Sequence, residues 1–395
     1  MTSSTSCSGR ALAALLAGAL AAGGCAGRPR AGEERRFRVA VLPPDNLSGG
    51  PVAARELRAA VELELARRGV EVQSGDLVER YLAHYRLRYT GGLHGEAARA
   101  AGEEMGVDGV VIASVEQYGE APPRLALTLR LVGATADAPL LWADGRSRAG
   151  DESPGLLGLG VIPDLAGVER RVVASLADSL AAYLQGRGPA APPCPDGRRF
   201  RPKIPYRSPL LDPRQPATVA VVPFRNLTAR RGAGEAVALA FVRQLMTVPS
   251  FKVIEPGVVR DLLLRYRIIM EGGVSVDQVR SILGGVGADL VVAGDVLDFG
   301  AGSPPSVSFT VTMLDAHSGR TVWQSTSYNR GDDGVFFFDA GTIATAGALT
   351  CRMVRGAVDG LLSIKPAPTP SLPSPGSTAP SSERRGQTQK GPNGG

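Results

Sequence analysis

Val39-Ala40-Val41-Leu42-Pro43-Pro44-Asp45-Asn46-Leu47-Ser48 returns as Val219-Ala220-Val221-Val222-Pro223-Phe224-Arg225-Asn226-Leu227-Thr228, an offset of 180. Farther on, Leu77, Val78, Tyr81, Leu82 and Tyr85 return as Val258, Val259, Leu262, Leu263 and Tyr266, now at an offset of 181. Gly91-Gly92 recurs as Gly272-Gly273, Trp142 as Trp323 and Gly150-Asp151 as Gly331-Asp332. The one-residue slip falls between Leu65 and Val70, where an insertion in a loop disturbs no apolar face. A unit this long closes its own core, unlike solenoid repeats of about 20 to 50 residues, which must stack to bury theirs. The sequence therefore predicts two similar domains, residues 37–186 and 217–365.

Within each copy the pattern reads β-α-β-α-α-β-β-β-α, an α/β fold of two tandem units with helices packed on a mixed sheet. Arg38 to Leu42 forms a strand stopped by Pro43-Pro44, and Asn46-Leu47-Ser48 suits a turn and a helix N-cap. Leu57, Val61 and Leu65, like Val237, Phe241 and Leu245, mark one face of a first helix. Val107 to Val115 and Ala288 to Val296 are nearly continuous apolar runs, which predicts central strands covered on both faces. Leu125, Leu127, Leu129 and Leu131 alternate with Ala, Thr and Arg, and Val307, Phe309, Val311 and Met313 repeat the pattern, so these read as half-exposed antiparallel strands. Trp142 and Trp323 sit on the hairpin partners and read as core.

At the N-terminus, Arg10 precedes the apolar run Ala11 to Ala22. Twelve helical residues rise about 18 Å and cannot cross a hydrocarbon core of about 30 Å, so residues 1–24 read as a secretory signal. Ala22-Gly23-Gly24-Cys25 resembles a bacterial lipobox, with Ala22 where Leu is usual. Two readings stand: lipidation of Cys25, or ordinary cleavage nearby with Cys25 a bystander. Ala26 after the cysteine resembles lipoproteins sorted to the outer membrane. Residues 25–36 form a polar tether, and the Pro- and Ser-rich residues 366–395 are expected to be disordered.

Of 395 residues, 44% are hydrophobic, enough for two sizeable cores, and the net charge is +6. The excess gathers in the Pro-rich linker 187–216, which includes Arg198, Arg199, Arg201 and Lys203. Export argues against nucleic acid. A mobile basic strip would instead meet anionic lipid or cell-wall polymer, the alternative being a solvated linker without a partner. Cys194 and Cys351 remain once the signal and Cys25 are set aside; an oxidising periplasm permits a bridge, and a buried free Cys351 is the other reading. Val335-Phe336-Phe337-Phe338 reads either as a contact patch for a partner or as a staple under the last helix.

Catalytic signals are weak. His84, His94 and His317 have no neighbours at metal-ligand spacing, and Gly284-Gly285-Val286-Gly287 precedes a strand where a phosphate loop follows one. Neither a catalytic residue, a metal ligand nor a cofactor is assigned, and the chain reads as a non-enzyme.

The second unit then resembles a known group. Its Val222-Pro223-Phe224 with Asn226-Leu227-Thr228, the strand Gly287 to Val296, and Asp315, Gly319, Val322 and Trp323 look like the curli-secretion CsgG-type domain. The TolB amino-terminal domain and the lipoprotein activators of penicillin-binding proteins are similar. The first unit matches more loosely. The resemblance implies an α/β fold, a periplasm-facing place at the outer membrane and action through envelope proteins, with homo-oligomers one option. A CsgG-type export channel is the alternative, disfavoured because Tyr118 to Pro123 and Phe299 to Pro305 are too short for membrane hairpins of about 9 to 11 residues per strand.

Overall fold

The strand Arg38–Val41 (β1) lies between two parallel neighbours, and its alternation of buried Val39 and Val41 with buried Ala40 explains why: both of its faces are covered by helices. The computed structural model describes residues 36–363, apart from 153–159, 196, 271, 281, 283–284, 286 and 336–340. Cys25, Phe336, Phe337 and Phe338 lie outside the described residues, as do the signal, most of the tether and the tail.

After β1 come β2 (Asp45–Asn46), α1 (Ala54–Arg67), β3 (Glu71–Val72), α2 (Gly75–His84), α3 (Gly95–Met105), β4 (Gly109–Glu120), β5 (Pro123–Gly133), β6 (Leu140–Ala149) and α4 (Leu165–Leu184). The strands make a mixed sheet in the order β3-β1-β4-β5-β6, with β2 also on β4. Next come β7 (Ile204–Arg207), β8 (Ala217–Val221), β9 (Arg225–Asn226), α5 (Ala233–Leu245), β10 (Phe251–Val253) and α6 (Pro256–Arg265). The chain continues through α7 (Val276–Arg280), β11 (Leu290–Gly300), β12 (Ser306–Asp315), β13 (Thr321–Arg330) and α8 (Ala346–Ser363). The second sheet runs β10-β8-β11-β12-β13-β7, with β9 on β11. Leaving β7 aside, the two sheets share one strand order, and the fold is α/β.

Each sheet has helices on both faces. In the first, α1 and α4 cover the side bearing Leu125, Leu127, Leu129, Leu131 and Trp142, while α2 and α3 cover Ala40, Leu42, Val110 and Ile112. In the second, α5 and α8 cover Val307, Phe309, Val311, Met313 and Trp323, and the opposite core gathers Val259, Leu263 and Val279 around Val291 and Ala293. Both tryptophans are fully buried.

Three sequence readings need correction. Asn46 and Asn226 do not cap helices: each accepts from the amide two residues on, Ser48 at 3.0 Å and Thr228 at 3.1 Å, and each closes a short strand, β2 or β9. The N-caps are Ala53 and Gly232, neither with a side-chain bond. Second, β5 is not half-exposed; from Leu125 to Gly133 every residue is buried. Val132 on its second face packs against α2 and α3, but Ala126, Thr128 and Arg130 are covered from outside their own half, as described below. Third, the linker is neither mobile nor merely solvated. Its β7 pairs with β13 at the edge of the second sheet, Arg207 donates to the Leu361 carbonyl at 2.9 Å, and a disulfide joins Cys194 to Cys351 with Cα atoms 5.8 Å apart. The edge of β13 is thereby occupied, and Pro205 withholds one ladder donor at the new edge.

Candidate functional site

The two sheets present one equivalent face to very different surroundings. On the first sheet, Ala126, Thr128 and Arg130 of β5 stand opposite Ser147, Gly145 and Ala143 of β6. These side chains are small apart from Arg130, and α5 and α8 from the second half press against them. A Cβ at Gly145 would overlap the Arg243 guanidinium, and one at Gly347 would sit 3.0 Å from Ser147 Oγ. Ser147 Oγ donates to Thr345 Oγ1 at 2.7 Å just before α8 begins. Helix α5 is therefore held between two sheets. It is buried at every position except Glu235 and Arg243, as expected of a helix apolar all round.

At the centre of this seam Arg130 Nη1 donates to both Glu255 carboxylate oxygens, at 2.8 and 3.0 Å, with both side chains wholly buried. Its Nη2 donates to the Gly91 carbonyl. Glu255 caps α6, accepting from the Gly257 amide at 3.2 Å, and burial pushes its carboxyl upward against the pull of Arg130. Glycines allow the backbones to meet: a Cβ on Gly92 would be 2.6 Å from the Gly257 Cα, and one on Gly232 would be 2.4 Å from the Leu47 carbonyl oxygen. Arg124 Nη1 extends the seam to the carbonyls of Ala301 and Gly302 at 2.8 and 2.9 Å. A cavity of about 160 Å³ beside it is lined by Asp45, Tyr89, Glu235 and Arg260, among others. Burial, with Glu235 nearby, raises the Asp45 pKa, and the Arg260 guanidinium lies 3.9 Å over the Tyr89 ring.

On the second sheet the corresponding rows are Asp295-Thr310-Thr326-Ile204, Thr312-Gln324-Tyr206 and Asp298-Ser308-Tyr328. Among the described residues, every member but Thr312 is half-buried or exposed. Ile204 is 65% exposed, Tyr328 57% and Tyr206 39%, and Leu297 at the β11 bulge is 46% exposed. Hydroxyls here lie among Gln324, Asp298 and the Asp295 carboxylate, which pairs with Arg225 at 2.8 Å, inside an apolar border. Lys203 belongs here, its Nζ 5.1 Å over the Tyr328 ring.

The other predicted linker residues gather elsewhere. Arg198, Arg199 and Arg201 line a groove of about 380 Å³ between the linker and α8, together with Arg352, Arg355 and Asp359. The linker crosses α8 at Gly356, where a Cβ would overlap the Phe200 carbonyl. Arg198 donates to the carbonyls of Asp333 and Gly341, and Arg355 to that of Cys194 at 2.7 Å. Burial and the adjacent Arg198 lower the pKa of Arg352. Arg352 and Arg355 escaped the sequence reading, although their i, i+3 spacing after Cys351 places all three on one side of α8.

No helix among the described residues is long and apolar enough to cross a membrane. No family model and no curated protein matches the chain. Solved structures that it resembles include the PelC dodecamer from Paraburkholderia phytofirmans, at 14% identity over 41% of this chain and 97% of that one, with a TM-score of 0.28. Lipoprotein GNA1162 from Neisseria meningitidis is similar at 22% identity over 36% of this chain and 98% of that one, TM-score 0.28. The C-terminal domain of LpoB from Salmonella enterica is similar at 16% identity over 28% of this chain and 82% of that one, TM-score 0.25. Likeness at these scores decides neither fold nor function.

Proposed function

We propose that the chain is a lipoprotein of the bacterial outer membrane, anchored through Cys25, that acts without catalysis as an adaptor between envelope proteins. The open face of the second sheet carries this reading. The same face of the first sheet is filled by α5 and α8, whereas the second exposes Ile204, Tyr206, Leu297 and Tyr328 around hydroxyl side chains. Exposed aromatic and aliphatic side chains clustered on a rigid sheet suit a protein contact. Anchoring rests on the lipobox-like Ala22 to Cys25, and the envelope setting on the resemblance to CsgG- and TolB-type domains.

An oligomeric export ring is the alternative. Head-to-tail stacking of the kind seen inside the chain could continue between chains if α1 and α4 of a second molecule covered the open sheet. The outward side of those helices carries exposed Arg55, Glu56, Arg67, Arg170, Arg171 and Asp178, unlike the apolar outer side of α5. Burying them would desolvate charge, so they terminate the stack as a polar cap does.

Membrane fractionation and light scattering on detergent-extracted protein, beside a Cys25→Ala control, test the reading. Monomers or dimers, with the control released as a folded soluble protein, are expected. A ring of many subunits, or a control that stays in the membrane, would overturn it.

A further inference from the structure

The linker groove is a built cavity rather than a charged stretch of surface. One wall is Pro195 with Gly197 to Pro202 and Pro205; the other is the side of α8 bearing Arg352, Arg355, Gly356, Asp359 and Gly360. Its walls are fixed relative to each other by the Cys194–Cys351 disulfide at one end and by the Arg207 bond to the Leu361 carbonyl at the other. Among the described residues, no carboxylate lies within ion-pair distance of Arg198, Arg199, Arg201 or Arg352, while Asp359 stands 3.9 Å from Arg355. Arg198 and Arg352 are close enough to repel, and both are half-buried. Like charges held together in a partly dry groove cost stability unless an anion joins them.

We propose that this groove binds phosphate groups, with Arg199, Arg201 and Arg352 supplying guanidinium forks to the phosphate oxygens. Planar guanidinium pairs with phosphate through two parallel hydrogen bonds, a match that lysine cannot offer, and among the described residues every cation lining the groove is an arginine. A volume of about 380 Å³ admits more than one phosphate. Phosphate of this kind occurs on lipid headgroups and on soluble phosphorylated molecules or polymers. The proposal does not depend on the sheet-face contact, since the two surfaces share no residue.

Binding of pyrophosphate to the soluble Cys25→Ala chain, by calorimetry, tests the site beside flotation with vesicles of phosphatidylglycerol or phosphatidylcholine. Arg199→Ala/Arg201→Ala is the groove variant, both side chains being exposed, and Arg170→Ala/Arg171→Ala removes two exposed arginines elsewhere. The groove variant should weaken binding by about tenfold or more, with unchanged thermal unfolding, and the control pair should not. Capture of phosphatidylglycerol vesicles alone assigns a headgroup as the source; pyrophosphate binding, with or without vesicle capture, assigns a phosphate site open to soluble ligands. No binding in either arm, or equal losses in groove and control variants, would overturn the proposal.

Discussion

Thr128 and Thr310 occupy the same place in two sheets and have opposite environments. Thr128 pairs with Ser114 and Gly145, is buried, and donates to Glu116 at 2.6 Å beneath α5 and α8. Thr310 pairs with Asp295 and Thr326 and is half-buried, with exposed Tyr328 nearby. One strand order thus supports both an internal joint and a free surface. The choice between them lies in side-chain size on the sheet and in the outer face of the helices that could cover it. Alanine, glycine and serine let helices approach the first sheet; glutamine, threonine and tyrosine fill the corresponding places on the second.

The largest test of the joint is its buried ion pair. Glu255→Ala leaves Arg130 charged and dry, so urea unfolding should show a loss of about 3–5 kcal/mol. Arg130→Met/Glu255→Leu should recover most of it. A small effect of the single substitution would mean that the first sheet does not need this contact to stay covered. Next comes the strap that blocks the β13 edge. Cys351→Ser opens a loop closed over a separation of 157 residues and should cost about 2–4 kcal/mol, read as a fall in thermal midpoint matched by reduction of the wild type. The smallest effect concerns Asp45 at the seam. Its pKa is raised from 3.8, so its protonated form suits the folded state. The stability linked to that proton is complete below the ordinary value and is lost as pH rises through the raised one. Asp45→Asn should therefore unfold at a higher temperature than wild type at pH 7, with the gap closing on acidification below the usual carboxylate range. A gap that widens in acid would contradict burial as the cause.

Much of each half was legible because local pattern decides it. Period-two apolar runs located β5 and β12, four-residue spacing located α1 and α5, and the paired tryptophans fell in the core. Relations between halves were harder. The Leu125 to Leu131 alternation implied a wet second face, yet that face is dry because another part of the chain covers it. A signal was present in the helices themselves: α5, AGEAVALAFVRQL, is apolar around its circumference, whereas α1, ARELRAAVELELAR, has a charged side. The linker groove was half visible. Composition gave Arg198, Arg199 and Arg201, but only the crossing at Gly356 brings Arg352 beside them and sends Lys203 to the other surface.

Site-specific photocrosslinking in intact cells, with the probe at position 128 or at position 310, tests the central claim most directly. The probe at 310 should capture another envelope protein, while the probe at 128 should link only within the chain, to α5 or α8. Intermolecular products from 128, or none from 310 in cells where the protein is correctly localised, would contradict it.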